Sequence, residues 1–262
     1  VAVGNLNTIA SSNLLFNDEQ SLSGTKLNQV VSSLEVENEE PITGDISLPT
    51  SDETKQRIYD TFPTQNRAVT QTDYENMCYR MPVKFGSIKR VSVQKDPDSQ
   101  KRNLNLYVIS EDTTGKLVLS NSVIKNNLKT WINQYRMIND TVDILDPFIL
   151  NFGMEFSVRA QESAEKFTVL DNCIQALKKS FERTYFIGES LYISDIYNVL
   201  KEVPGVLDVL NARINMKTGG EYSSSSIDVN SNLSGDGSQL IVPNNAILEL
   251  KFPEVDIVGR IR

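Results

Sequence analysis

Histidine is absent from all 262 residues. Its absence removes the imidazole base on which Ser-His-Asp and Cys-His nucleophiles depend. It also removes the nitrogen ligand of most zinc sites, and Cys78 and Cys173 alone cannot supply four soft ligands. No Gly-x-x-x-x-Gly-Lys phosphate cradle occurs, and no Gly-x-Gly-x-x-Gly follows a strand-like run. The chain therefore reads as non-enzymatic, with no catalytic residue, no metal site and no cofactor. No apolar run approaches the roughly 18 residues of a membrane span, and Val1 to Ala10 lacks the basic start of a signal peptide. Positive charge is scarce as well: 26 Lys and Arg stand against 34 Asp and Glu, a formal net charge of −8. That balance repels a polyanion, so neither nucleic acid nor membrane is expected as a partner.

What remains is an ordinary water-compatible composition, 39% hydrophobic and 23% charged. The length suffices for one large domain or two small ones. The chain begins with Val1, so a fragment or processed product is expected. Both cysteines sit among apolar residues at helical spacing, which reads as buried free thiols and a reducing compartment. Lys84, Lys89 and Arg90 lie close in sequence and read as a solvated strand edge. Asp228-Val229-Asn230-Ser231-Asn232 opens like a calcium loop, but Leu233 stands where Gly is needed and Gln239 where a bidentate Glu is needed. Paired carboxylates can cleave a glycosidic bond without histidine, yet 34 acids single out no pair. Asn139-Asp140-Thr141 and Asn232-Leu233-Ser234 match a glycosylation pattern that matters only in a secreted eukaryotic protein.

The pattern along the chain predicts an α+β fold: two small lobes of helices packed on mainly antiparallel sheets, with an extended N-terminal arm and a β-rich C-terminal tail. Residues 1–66 carry an acidic run, Glu35 to Glu40, and read as the arm, with one short helix at Asp52 to Phe62. The first lobe is expected over 67–160. Thr72-Asp73-Tyr74-Glu75 reads as a capping box, and Tyr74, Met77, Cys78 and Met81 mark one helix face. Pro82 ends that helix. A strand with Val91 and Val93 follows, then a turn at Asp96-Pro97-Asp98 and a hairpin partner over Asn103 to Ser110. A helix over Ser122 to Ile138 has the stripe Ile124, Leu128, Trp131, Ile132, Tyr135 and Ile138, with Trp131 and Tyr135 read as core. Strands over Thr141 to Leu145 and Ile149 to Ala160 complete the lobe. The second lobe, 161–216, holds a helix over Ala164 to Thr184 with Phe167, Leu170, Ile174, Leu177 and Phe181 as its stripe. A short helix capped by Ser194, a stop at Pro204-Gly205 and a strand over Val206 to Met216 follow. Helix, glycine and strand thus occur twice, around Gly86 and Gly205. Thr218 to Gln239 is rich in Gly, Ser and Asn and reads as a long mobile or partner-binding loop, followed by β-like stretches in 240–261.

Two groups of residues resemble a known family. Asn66-Arg67-Ala68-Val69-Thr70-Gln71-Thr72-Asp73-Tyr74-Glu75 is similar to the R-x-V-T-x-x-D-Y-E segment that opens the core of J-like baseplate proteins in contractile phage tails. Ile193-Ser194-Asp195-Ile196-Tyr197 and Val203-Pro204-Gly205-Val206 resemble the second half of that family's pattern. The resemblance spans roughly 43–216. Lys84-Phe85-Gly86-Ser87 replaces the family's Pro-Gly-Val, and 217–262 lies outside the pattern, which looks like the T-even type of wedge protein. The resemblance implies a structural wedge subunit in the virion tail baseplate, assembled in the host bacterial cytoplasm. Its implied partners are copies of itself, as homodimer or ring, and other baseplate wedge proteins. The implied ring rearranges when the tail contracts.

Tyr192, Tyr197, Tyr222, Ile227 and Leu233 are the expected interface residues, because exposed aromatic and apolar side chains in irregular segments anchor protein contacts. Tyr185 and Phe186 belong to the same aromatic cluster, where interface and core remain equally open. The rival readings are a carbohydrate-binding or adhesin module of a phage tail and a carboxylate-dependent glycosidase.

Overall fold

The computed structural model describes residues 24–33, 49–64, 66–96, 103–112, 114–161 and 165–261. The acidic run at 35–40 and the turn through Pro97 and Asp98 lie outside the described residues. The fold is α+β, and the chain divides into two compact units. One gathers the described residues up to Ile88 with Ser120–Ile138; the other gathers Lys89–Leu119 with the described residues from Asn139 onward.

The first unit is helical. It contains α1 (Gly24–Ser33), α2 (Ser51–Thr61), α3 (Gln71–Tyr79) and α4 (Ser122–Ile132). The helix α1 falls inside the segment expected as an extended arm, where no periodicity announced it. The expected face of α3 is buried through Tyr74, Met77, Cys78 and, just past the helix, Met81. The capping box, however, sits two residues earlier than expected. Thr70 Oγ1 accepts from the Asp73 N–H, and the Asp73 carboxylate accepts from the N–H groups of Thr70 and Val69. Both Thr-x-x-acid frames are present in the sequence. The earlier one starts the helix soon enough for the Tyr74 hydroxyl to reach the Met137 N–H at 3.3 Å. Thr70→Ala should therefore cost about 1 kcal/mol in denaturant unfolding while Thr72→Ala costs a few tenths. Equal losses would place the cap back at Thr72.

The second helix of the stripe, α4, stops at Ile132, six residues short of expectation. The chain beyond it turns away to pair with Ala68, whose N–H donates to the Tyr135 carbonyl. Ile138 is consequently 92% exposed instead of buried. Trp131 and Tyr135 do pack within the unit: their rings lie 5.0 Å apart, and Trp131 Nε1 donates to the Met77 carbonyl at 2.8 Å.

The second unit holds the sheets. The expected hairpin forms from β1 (Arg90–Lys95) and β2 (Asn103–Glu111), antiparallel, with Val91 opposite Val108 and Val93 opposite Leu106. A short strand not foreseen, β3 (Leu117–Leu119), pairs antiparallel with β2, and β4 (Thr141–Leu145) pairs with it in parallel. The second sheet is built on β5 (Phe148–Ala160). Its neighbours are β7 (Val206–Met216), antiparallel, and β9 (Ala246–Glu249) and β10 (Ile257–Ile261), both parallel. Two further strands, β6 (Leu191–Tyr192) and β8 (Gln239–Leu240), make a small antiparallel pair. The larger sheets are therefore mixed.

Strand β5 joins what 67–160, 161–216 and 217–262 were expected to keep apart. Thirteen residues long, it needs hydrogen-bond partners on both sides, and it finds them in all later parts of the chain. Its even-numbered residues from Phe152 to Ala160 point into the core. Helix α5 (Lys166–Phe181) packs on β10, and α6 (Ile193–Glu202) packs on β7. The buried face of α5 is Val169, Cys173, Leu177 and Phe181, a strict spacing of four. Phe167, expected on that face, is 82% exposed. Ser194 does not cap α6 either, since the helix begins one residue before it. The Ile193 N–H donates instead to the Ser238 carbonyl at 2.8 Å, so a distant segment satisfies the first turn.

The basic cluster also departs from expectation. Lys84 is exposed, but Lys89 and Arg90 are buried. Lys89 Nζ lies 2.8 Å from the Glu111 carboxylate. The Arg90 guanidinium donates to the Thr184 carbonyl and lies 4.5 Å from the Phe186 ring centre. Two charges at the start of a strand can enter a core when an acid and a carbonyl wait there, and spacing alone does not reveal them.

Candidate functional site

Thr218 to Gln239 is the segment expected as a long mobile or partner-binding loop. In the structure it is stitched to the second unit along its length. The reason lies in its composition: Ser, Asn and Asp side chains are short enough to bind nearby backbone. Asp236 accepts from the hydroxyls of Ser234 and Ser238 and from the Ser238 N–H. Those bonds, the Ser234 hydroxyl first, hold its carboxyl down at about 2. Asp228 accepts from the Ser231 hydroxyl and the Asn230 N–H, which hold it below the usual carboxylate range. The calcium-like residues thus form a single 3-10 turn, Asn230–Asn232, around their own aspartate. Among the described residues no group of three or more acidic or thiol side chains is placed to hold a metal.

The base of the segment is fixed by buried polar groups. Asn151, 1% exposed, donates from Nδ2 to Glu249 at 2.7 Å and accepts from the Ser223 N–H at 2.7 Å. The second Glu249 oxygen accepts from the Leu117 N–H at 2.7 Å. Tyr222 donates its hydroxyl to buried Asp256 at 2.7 Å. Desolvation, with that bond, pushes the phenol up to about 12. Gly153 gives the close approach its room, for a Cβ there would lie 2.7 Å from the Asp256 carbonyl oxygen.

Four of the five expected interface residues, Tyr197, Tyr222, Ile227 and Leu233, are half-buried. Tyr192 is half exposed. Tyr197, Ile227 and Leu233 pack against the unit's own core. The Tyr197 hydroxyl accepts from the Ala212 N–H at 3.1 Å, and the Tyr222 ring meets Phe252 edge-on at 5.5 Å. Of the neighbouring aromatics, Tyr185 is fully buried, stacked edge-on to Phe152, and Phe186 is half exposed over Arg90. Other large exposed apolar side chains of this unit include Phe167, Leu207, Leu210, Val255 and Val258. Leu210 and Val258 flank a groove of about 330 Å³ across β7, β5 and β10, with Glu155 and Arg260 among its lining residues.

Both cysteines are free and buried. Burial pushes the Cys173 thiol up to about 11 and the Cys78 thiol higher still, so thiolate is scarce at neutral pH. A colorimetric thiol titration should detect neither cysteine in the native protein and both after unfolding. Fast labelling of the native chain would contradict the burial.

No family model matches this chain, and no curated protein matches it. Among solved structures it is similar to a chain in "Cryo-EM structure of the anti-feeding prophage (AFP) baseplate, 6-fold symmetrised", with 12% identity and a TM-score of 0.44. The likeness covers 82% of this chain and 44% of the other, so this chain spans less than half the length of the protein it resembles.

Proposed function

We propose that this chain is a structural subunit of a contractile-tail baseplate wedge, one that works by binding rather than catalysis. It associates with copies of itself and with other wedge proteins, and the ring so formed rearranges on contraction. What supports this reading is the use made of the residues that resemble J-like baseplate proteins. Thr70 and Asp73 cap a helix, and Tyr74 fills the core behind them. Ile196 is fully buried, and Tyr197 ties α6 to β7. Gly205, at φ 90°, turns the chain between buried Val203 and β7. These residues cap, turn and fill. That use suits a subunit whose product is shape.

The test is an electron-microscopic comparison of tails assembled with and without this chain. Loss of the chain should leave tails with incomplete baseplates. Complete baseplates in its absence would overturn the proposal.

A further inference from the structure

The helix α2 is inside out. Its eleven residues include no buried side chain. At 100° per residue, Glu53, Arg57 and Asp60 share one side, and Lys55, Ile58, Tyr59 and Phe62, which follows the last helical turn, share the other. The polar side is the one turned toward the protein: Glu53, Arg57 and Asp60 are half-buried, and the Arg57 guanidinium lies 3.9 Å from the centre of the Tyr79 ring. The apolar side faces solvent, with Ile58 67%, Tyr59 77% and Phe62 89% exposed. A surface helix ordinarily does the reverse. The cap at Thr50 and the Glu53–Arg57 pair hold the helix itself together, and the Arg57 contact with the Tyr79 ring sets this orientation.

We propose that this face is a self-association site, and that its occupant is the same face of a second copy of the chain. The argument is its self-complementarity. In an antiparallel pair related by a two-fold axis between residues 58 and 59, Ile58 of each copy meets Ile58 of the other on one flank of the seam, and Tyr59 meets Tyr59 on the other flank. Lys55 of each copy then meets Phe62 of the other. The centre is apolar, and each end places an ammonium against an aromatic ring, an attractive pairing. Lys55 is free to turn, since its one ion pair, with Asp52, is a 3.1 Å surface contact. No like charges oppose each other across this arrangement. A contact between two helices about 16 Å long is far smaller than the ~1,600 Å² of a standard interface, so the pair is weak and exchangeable. That is the kind of contact a rearranging ring requires. The proposal rests on the self-associating wedge reading above and assigns it a surface.

Sedimentation equilibrium of the whole chain over a wide concentration range is the test. The wild type should show reversible dimerisation. Phe62→Ser and Tyr59→Ser should each raise the dissociation constant at least about tenfold, and Lys55→Glu should weaken pairing as well. Because these side chains contact solvent, circular dichroism of the variants should match the wild type. Dimerisation unchanged by Phe62→Ser and Tyr59→Ser would overturn the site while leaving the self-associating reading standing. A wild-type monomer at every concentration would overturn both the site and self-association by this chain, and the electron-microscopic comparison above would still decide the baseplate reading by itself.

Discussion

Replacing Glu111 by Ala should destabilise the protein by about 3–5 kcal/mol, among the largest effects of any single substitution. The side chains of Lys89 and Glu111 are 9% and 4% exposed and 2.8 Å apart. Removing the carboxylate leaves an ammonium in the core without its principal counter-charge. Removing both charges at once is a different matter. The pair Lys89→Met with Glu111→Leu keeps side-chain volume and avoids desolvating either ion, so it should lie within about 1–2 kcal/mol of the wild type. Urea unfolding of the single and double variants checks this. Additive losses would mean that the two groups act independently.

The second large effect centres on Asn151. Its side chain both donates to Glu249 and accepts from Ser223, and both partners lose a bond when it is replaced. Asn151→Leu should cost about 3 kcal/mol, because a buried carboxylate and a backbone N–H are each left a partner short. It should also open the start of the following segment, so that limited proteolysis cuts first between residues 218 and 226. Cleavage unchanged from the wild type would mean that the segment is held mainly by Ile227, Val229 and Leu233, which pack on the core. On either outcome, deletion of 219–238 removes packed side chains and should destabilise the unit.

Local structure was legible in the sequence where one face of an element meets one core. Tyr74, Met77 and Cys78 on α3 and the pairing of the Val91 strand with Asn103 to Ser110 as a hairpin follow from spacing alone. Strand β7 was legible for the same reason, as an apolar run bounded by Pro204-Gly205. Pairing was not legible. Nothing in Phe148–Ala160 says that its neighbours lie ninety or more residues later as well as in β7. Composition left 218–239 as a mobile or a partner-binding loop, and the mobile alternative overlooks that short polar side chains bind backbone as readily as they bind water. The candidate interaction face on α2 was hidden in a segment read as an arm, since an apolar stripe looks the same in sequence whether it faces a core or solvent.

The most direct test of the central claim is immunogold electron microscopy of assembled tail particles with an antibody raised against this chain. The account predicts gold at the baseplate end of every tail and none along the tube or at the fibre tips. Particles carrying no gold, or gold confined to the fibre tips, would contradict it.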